Sequence, residues 1–167
     1  MDAPAPEAGE VYRQLAPAVL GYLRAQRAIE PEDLLGEVFL QVARDLPRFS
    51  GDDDALRRWV FTIAHHRLID DRRRRARRPQ LADGEVPEAA APELADAVDP
   101  ALIAALDRLT ADQREVVLLR FVADLPLEAV AKLTKRNVGA VKALQHRALE
   151  QLGRILRASA DAHDGDD

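Results

Sequence analysis

The chain has 167 residues, 47% of them apolar and 32% charged, with a formal net charge of −5. That length suits one ordinary domain or two small ones, and aromatics at only 4% mean that any core is built of Leu, Val, Ile and Ala. No cysteine is present, which excludes disulfide scaffolds, cysteine-zinc sites and thiol catalysis and suits a reducing compartment.

No apolar run approaches bilayer-spanning length, and the opening MDAPAPEAGE is acidic and proline-rich, unlike a signal peptide. A cytoplasmic protein without membrane insertion is expected.

Val11, Leu15, Ala18 and Tyr22 recur at helical spacing and predict a first helix over residues 9–26. A second is predicted over 31–46, with Leu34, Leu35, Val38, Phe39 and Val42 on one face. Pro31 suits a first helical position, Glu32 and Asp33 suit the positive end of the dipole, and Pro47 ends the helix. The stretch RFSGDDD reads as a loop that supplies acidic caps. The third helix is expected from about Asp53 to Arg78, with Leu56, Val60, Ile63 and Arg67 on one stripe and Pro79 as its stop. A three-helix unit thus occupies 9–78.

Residues 79–100 contain four prolines, a glycine, many alanines and no apolar periodicity, and read as a linker between two domains. Helical signals resume near Ala101. Thr110 reads as the cap of ADQREVVLLRFVADL, and Pro126 opens a short helix with Leu127, Val130, Ala131 and Leu133. The polar break Lys135-Arg136-Asn137 follows. Asn137 then caps a last helix whose buried stripe is Val138, Val141, Ala148, Leu152 and Ile155. Two short helices, a tight turn and a longer helix make a helix-turn-helix. The fold class is therefore all-α: two small helical domains, 1–78 and 101–158, a flexible acidic linker over 79–100, and a disordered acidic tail over 159–167.

Charge is unevenly spread. Seven arginines fall between Arg67 and Arg78 against two aspartates, whereas 79–101 hold six acids and no base. Such a cluster is the footprint of a phosphate backbone, since dipole stabilisation at a helix end needs only one or two cations. On the last helix, an inward Val141, Ala148 and Leu152 leaves Lys142, His146 and Arg147 outward, beside the small Gly139 and Ala143. Donors near the start of a helix, and small residues where backbone must approach DNA, suit a recognition helix; a solvated charged face on a bundle is the plainer alternative.

His65 and His66 are adjacent, point a third of a turn apart and make a poor chelating pair, so no metal is expected. Trp59, the one tryptophan, fits the core, or a nucleic-acid surface. No phosphate loop, nucleophile triad or paired catalytic carboxylates can be found. The chain is therefore read as a non-enzyme without cofactor or small-molecule substrate.

Together these motifs resemble an extracytoplasmic-function (ECF) sigma factor of bacterial RNA polymerase. EDLLGEVFLQVARDLPRF followed by WVFTIAHHRLIDDRRRR is similar to sigma region two, and LTADQREVVLLRFVADLPLEAVAKLTKRNVGAVKALQHRALEQL to region four. The resemblance implies that Asp33, Glu37 and Gln41 dock on core polymerase. It also implies −10 contacts from Trp59, His65, His66, Arg67, Arg72, Arg73, Arg74 and Arg75, and −35 contacts from Arg120, Lys142, Ala143, His146 and Arg147. Core polymerase, promoter DNA and an anti-sigma factor are the implied partners.

The chain departs from the family pattern at Gly36, where Gln is usual, and at His65-His66, where Arg-Asn is usual. Lys135 and Arg136 replace a glycine and an apolar residue in the turn, and Ala140 and Ala143 replace a Thr and a Ser. A helix-turn-helix regulator that acts without docking on polymerase is the alternative. An enzyme with a DNA-binding tail is a third, opposed by the lack of any acid-base or metal constellation.

Overall fold

A computed structural model describes residues 6–78 and 99–165. These residues form two compact all-helical units.

The first unit contains α1 (Ala8–Ala25), α2 (Pro31–Asp45) and α3 (Asp53–Arg77), with a single 3₁₀ turn, Leu46–Arg48, closing α2. The three helices pack on one another around an aliphatic core of Val11, Val19, Leu23, Val38, Val42, Val60 and Leu68. Each such side chain stabilises the unit by about 1.5–3 kcal/mol when fully buried. Tyr22 and Phe61 meet edge to face at 5.7 Å in the middle of it. Asp52 caps α3 by accepting from Ala55 N at 2.8 Å. Its first turn carries Asp53 and Asp54 and its last turn three arginines, so both ends complement the helix dipole.

Gly51 lets the loop close: a Cβ there would stand 2.8 Å from Ala55 Cβ and 3.0 Å from the Phe49 ring. That ring in turn stacks on Trp59 at 5.1 Å.

The second unit contains α4 (Pro100–Asp107), α5 (Ala111–Val117), α6 (Leu127–Thr134) and α7 (Val138–Asp164). Thr110 and Gln113 close a full capping box at the start of α5, and Asn137 Oδ1 accepts from Ala140 N at 2.7 Å at the start of α7. Ala105, Leu109, Val117, Ala148, Leu152 and Ile155 form a core cluster of this unit. Between α6 and α7, Lys135 adopts a left-handed conformation (φ 57°, ψ 41°), and Arg136 N returns to Ala131 O at 2.9 Å. A glycine would adopt that backbone without steric cost.

Three expectations change. The predicted single helix 111–125 is α5 followed by a π turn, Leu118–Val122, in which Ala123 N bonds to Leu118 O. Four consecutive buried residues, Val116–Leu119, sweep most of the way round an α-helix, and the widened turn accommodates them. The tail expected to be disordered from residue 159 instead continues α7 through Asp164. The ladder simply propagates through the good helix formers Ala158, Ala160 and Ala162, at no packing gain, since 157–164 are exposed. Finally, the linker expected over 79–100 ends earlier: Asp99 caps α4 through Ala101 N, and Pro100 is its first residue. Residues 79–98 lie outside the described residues.

Candidate nucleic-acid interface

Helical period divides the arginines of α3 into different faces. Arg67 and Arg74 lie seven residues apart, two turns, on the face towards α2. Arg67 Nε and Nη2 donate to Gln41 Oε1 at 3.0 and 2.8 Å, and its Nη1 lies 4.0 Å from Glu37 Oε2. Arg74 Nη2 lies 3.7 Å from the same Glu37 oxygen and 3.6 Å from Asp71 Oδ1.

Arg75 donates to Asp71 at 2.9 Å and Glu30 at 3.1 Å, and these two acids raise its pKa, the hydrogen bond from Asp71 most of all. Arg72 Nη2 donates at 2.7 Å to the carbonyl of Gln26, at the end of α1. Four of the seven are thus held inside the unit. Arg73, Arg77 and Arg78 are exposed and make no hydrogen bond or ion pair among the described residues.

Trp59, His66, Arg73 and Arg77 recur at seven, seven and four residues and line one stripe of α3. His66 and the two arginines are exposed; Trp59 is partly covered by Phe49. Asp70 falls beside the stripe. An exposed imidazole, an aromatic and two unpaired guanidinia on one face can stack on bases and hold phosphates.

His65 corrects its expected place among the −10 contacts. It is only 3% exposed, and its Nδ1 lies 3.1 Å from the Tyr22 hydroxyl in the core. Burial, with the charges of His66 and Arg72 adding to it, holds its pKa down to about 4, so the ring is neutral at pH 7.

In the second unit, Lys142, Ala143, His146 and Arg147 are exposed on the first three turns of α7. Gly139 precedes them, also exposed, and His146 pairs with Glu150 at 3.3 Å. Arg120 is a second correction. It does not extend towards a ligand: Nη1 donates to Leu125 O at 2.6 Å and Nε to Gln145 Oε1 at 2.9 Å, so it ties the π turn to α7. Arg136 does similar work at the turn, reaching Asp112 at 2.8 Å and Glu115 at 3.2 Å on α5.

Comparison with known proteins places this geometry. The Sigma-70 region 2 family matches residues 11–78 and the Sigma-70 region 4 family residues 100–152. The ECF RNA polymerase sigma factor SigD of Mycobacterium tuberculosis is 31% identical over 166 residues, which cover 91% of this chain and 78% of SigD. The chain belongs to the extracytoplasmic-function sigma factors.

The ECF sigma factor BldN of Streptomyces coelicolor is 32% identical over 157 residues, 89% of this chain but only 60% of BldN. A solved complex of the sigma factor RpoE with the anti-sigma factor NepR from Bartonella quintana shares the fold at TM-score 0.63 and 21% identity, over 87% of this chain and 94% of that one.

For this sigma factor, the expected docking residues Asp33, Glu37 and Gln41 do share one side of α2, with Asp33 exposed and the other two leaning on α3. Leu40, 74% exposed on the same side, was not anticipated. Its signal was present: it falls off the stripe of Leu34, Leu35, Val38, Phe39 and Val42. Gln26, Gln145 and Arg136 were also missed, because each acts through a partner distant in sequence.

Proposed function

We propose that this sigma factor binds core RNA polymerase, recognises −35 DNA as duplex through 101–158 and −10 DNA through 1–78, and promotes opening for initiation. The single observation that carries the −10 assignment is the stripe of Trp59, His66, Arg73 and Arg77 along one face of α3, three of the four exposed. A regulator that only binds duplex DNA has no use for that unit. The polymerase would carry the chemistry, so this chain is read as a recognition subunit acting in the cytoplasm. Residues 79–98 would join the two domains, and an anti-sigma factor would be a further partner, as in the solved RpoE complex.

His66 stands two turns after Trp59, where it can stack on an unstacked base or make one hydrogen bond. The test adds the chain to core polymerase and maps transcript starts, then follows opening with permanganate. His66→Ala should keep polymerase and −35 binding and lose −10 reactivity. Asp33→Arg should lose co-elution with core enzyme. No transcript with the wild-type chain would overturn the reading.

A further inference from the structure

Between α6 and α7 two cations stand side by side, and only one is used inside the unit. The Arg136 guanidinium reaches Asp112 at 2.8 Å and Glu115 at 3.2 Å on α5, and its backbone N–H closes the end of α6 on Ala131 O at 2.9 Å. Lys135 differs on both counts. Its backbone is left-handed, φ 57° and ψ 41°, and its side chain is exposed, with no ion pair or hydrogen bond to the ammonium among the described residues. A residue with a Cβ is strained in that conformation, and glycine is not. The Lys135 ammonium does nothing within the unit to offset the strain. Strain that the fold itself does not use points to a use outside it.

The position of Lys135 says what that use is. In a helix-turn-helix the first helix crosses the sugar-phosphate backbone and the start of the second enters the major groove. The turn between them therefore passes the backbone at the edge of the groove. Lys135 stands three positions before Val138, the first residue of α7, and the exposed Gly139 and Lys142 follow. Arg136 ties the turn to α5, so the Lys135 backbone is held while its four-carbon stem stays free. A point charge on a flexible stem suits a phosphate, which accepts it from many directions. We infer that Lys135 is a phosphate anchor: its ammonium pairs with one backbone phosphate beside the groove that α7 enters, and the strained turn is the cost of placing it there. The inference rests on the proposed reading of 101–158 as the unit that binds −35 duplex. Such a contact adds affinity and fixes register but carries no sequence preference, unlike the base contacts proposed for α7.

The experiment titrates the full chain into a short fluorescent DNA duplex of mixed sequence over a range of salt. Each phosphate contact on duplex DNA steepens the plot of log affinity against log salt by about 0.9. Lys135→Ala and Lys135→Gly should each flatten that slope by about 0.9, so that wild-type affinity falls about 3.5-fold more than theirs between about 50 and about 200 mM salt. Lys135→Arg, which keeps the charge, should keep the wild-type slope. Chemical denaturation separates the charge from the strain. Lys135→Gly should unfold at a higher midpoint while binding DNA more weakly, opposite signs that a purely structural lysine does not produce.

Arg157→Ala is the control. Arg157 is exposed on α7, about 28 Å along the helix from Val138 at 1.5 Å per residue, well beyond the reach of a screened charge. Its removal should leave the slope unchanged. An unchanged slope in Lys135→Ala and Lys135→Gly overturns the inference, as does an equal flattening by Arg157→Ala, which would reduce the effect to net charge. A wild-type chain that binds no duplex would sink the −35 reading and the anchor with it. Salt-dependent binding by the wild type, with the same slope in the alanine and glycine variants, would sink only the anchor.

Discussion

Arg67 of α3 directs two hydrogen bonds, 3.0 and 2.8 Å long, at one oxygen of Gln41 on α2. The pair sits at the rim of the α2–α3 contact, outside the aliphatic core. Charge-assisted bonds contribute about 1.5–3 kcal/mol when well shielded, and the partial exposure of Arg67 reduces that. Gln41→Leu should therefore lower the stability of the first unit by about 1 kcal/mol, read as a shift in the midpoint of chemical denaturation. No shift would mean that the pair contributes nothing to folding.

His65 makes the first unit sensitive to acid. Its pKa is about 4 when folded, because the ring is buried, whereas an unfolded chain takes up the proton near pH 6.5. The folded pKa is the lower one, so the stabilisation is present above about pH 6.5 and is lost as pH falls towards 4. The whole loss is about 3 kcal/mol. His65→Gln, which cannot titrate, should be less stable at pH 7 but flatter between pH 6.5 and 4. Parallel pH profiles for the two proteins would show that His65 is solvated after all.

Arg120 and Arg147 should separate by phenotype. Arg147 is exposed on α7, so Arg147→Ala should weaken −35 duplex binding by about 1–3 kcal/mol and leave thermal unfolding unchanged. Arg120 is bonded to Leu125 O and Gln145, so Arg120→Ala should lower the stability of the second unit by a similar amount, leaving an unpaired carbonyl behind. Fluorescence anisotropy and denaturation on both variants decide it. Equal effects on stability would contradict the assignment.

Lys135 holds a left-handed conformation that costs a residue with a Cβ about 1–2 kcal/mol. Glycine avoids that cost but has more freedom to lose on folding. Lys135→Gly should therefore stabilise the second unit by about 0.5–1 kcal/mol. A destabilised variant would mean that the lysine side chain makes a contact that outweighs the strain.

Much of the helical frame was legible in the residues. Asn137 and Thr110 capped where small polar side chains before apolar runs should, and of the expected stripe Val141, Ala148, Leu152 and Ile155 turned inward while Val138, in the first turn, is only half-buried. The arginines were harder. A run of like charges looks like a single patch in sequence, but a helix turns 100° per residue and scatters neighbours to different faces. Arg72 and Arg73 part company for that reason, one towards the carbonyl of Gln26 and one outward. His65 and His66 do the same: one packs in the core and the other faces out, and only the fold decides which. The π turn left no signal beyond the unbroken apolar run Val116–Leu119.

Ile155 is the last buried residue of α7 and Leu156 the last to pack on the core, yet the helix continues to Asp164, about 12 Å of bare spiral at 1.5 Å per residue. Its closing turns place Asp161 and Asp164 at the negative pole of the macrodipole, where a cation would be favourable, and His163 offers little counterweight. That end has neither burial nor field to hold it. Its amides should exchange with solvent at close to free-peptide rates while those from Val141 to Ile155 stay protected, so the helix fades gradually along its length rather than stopping at a fixed residue.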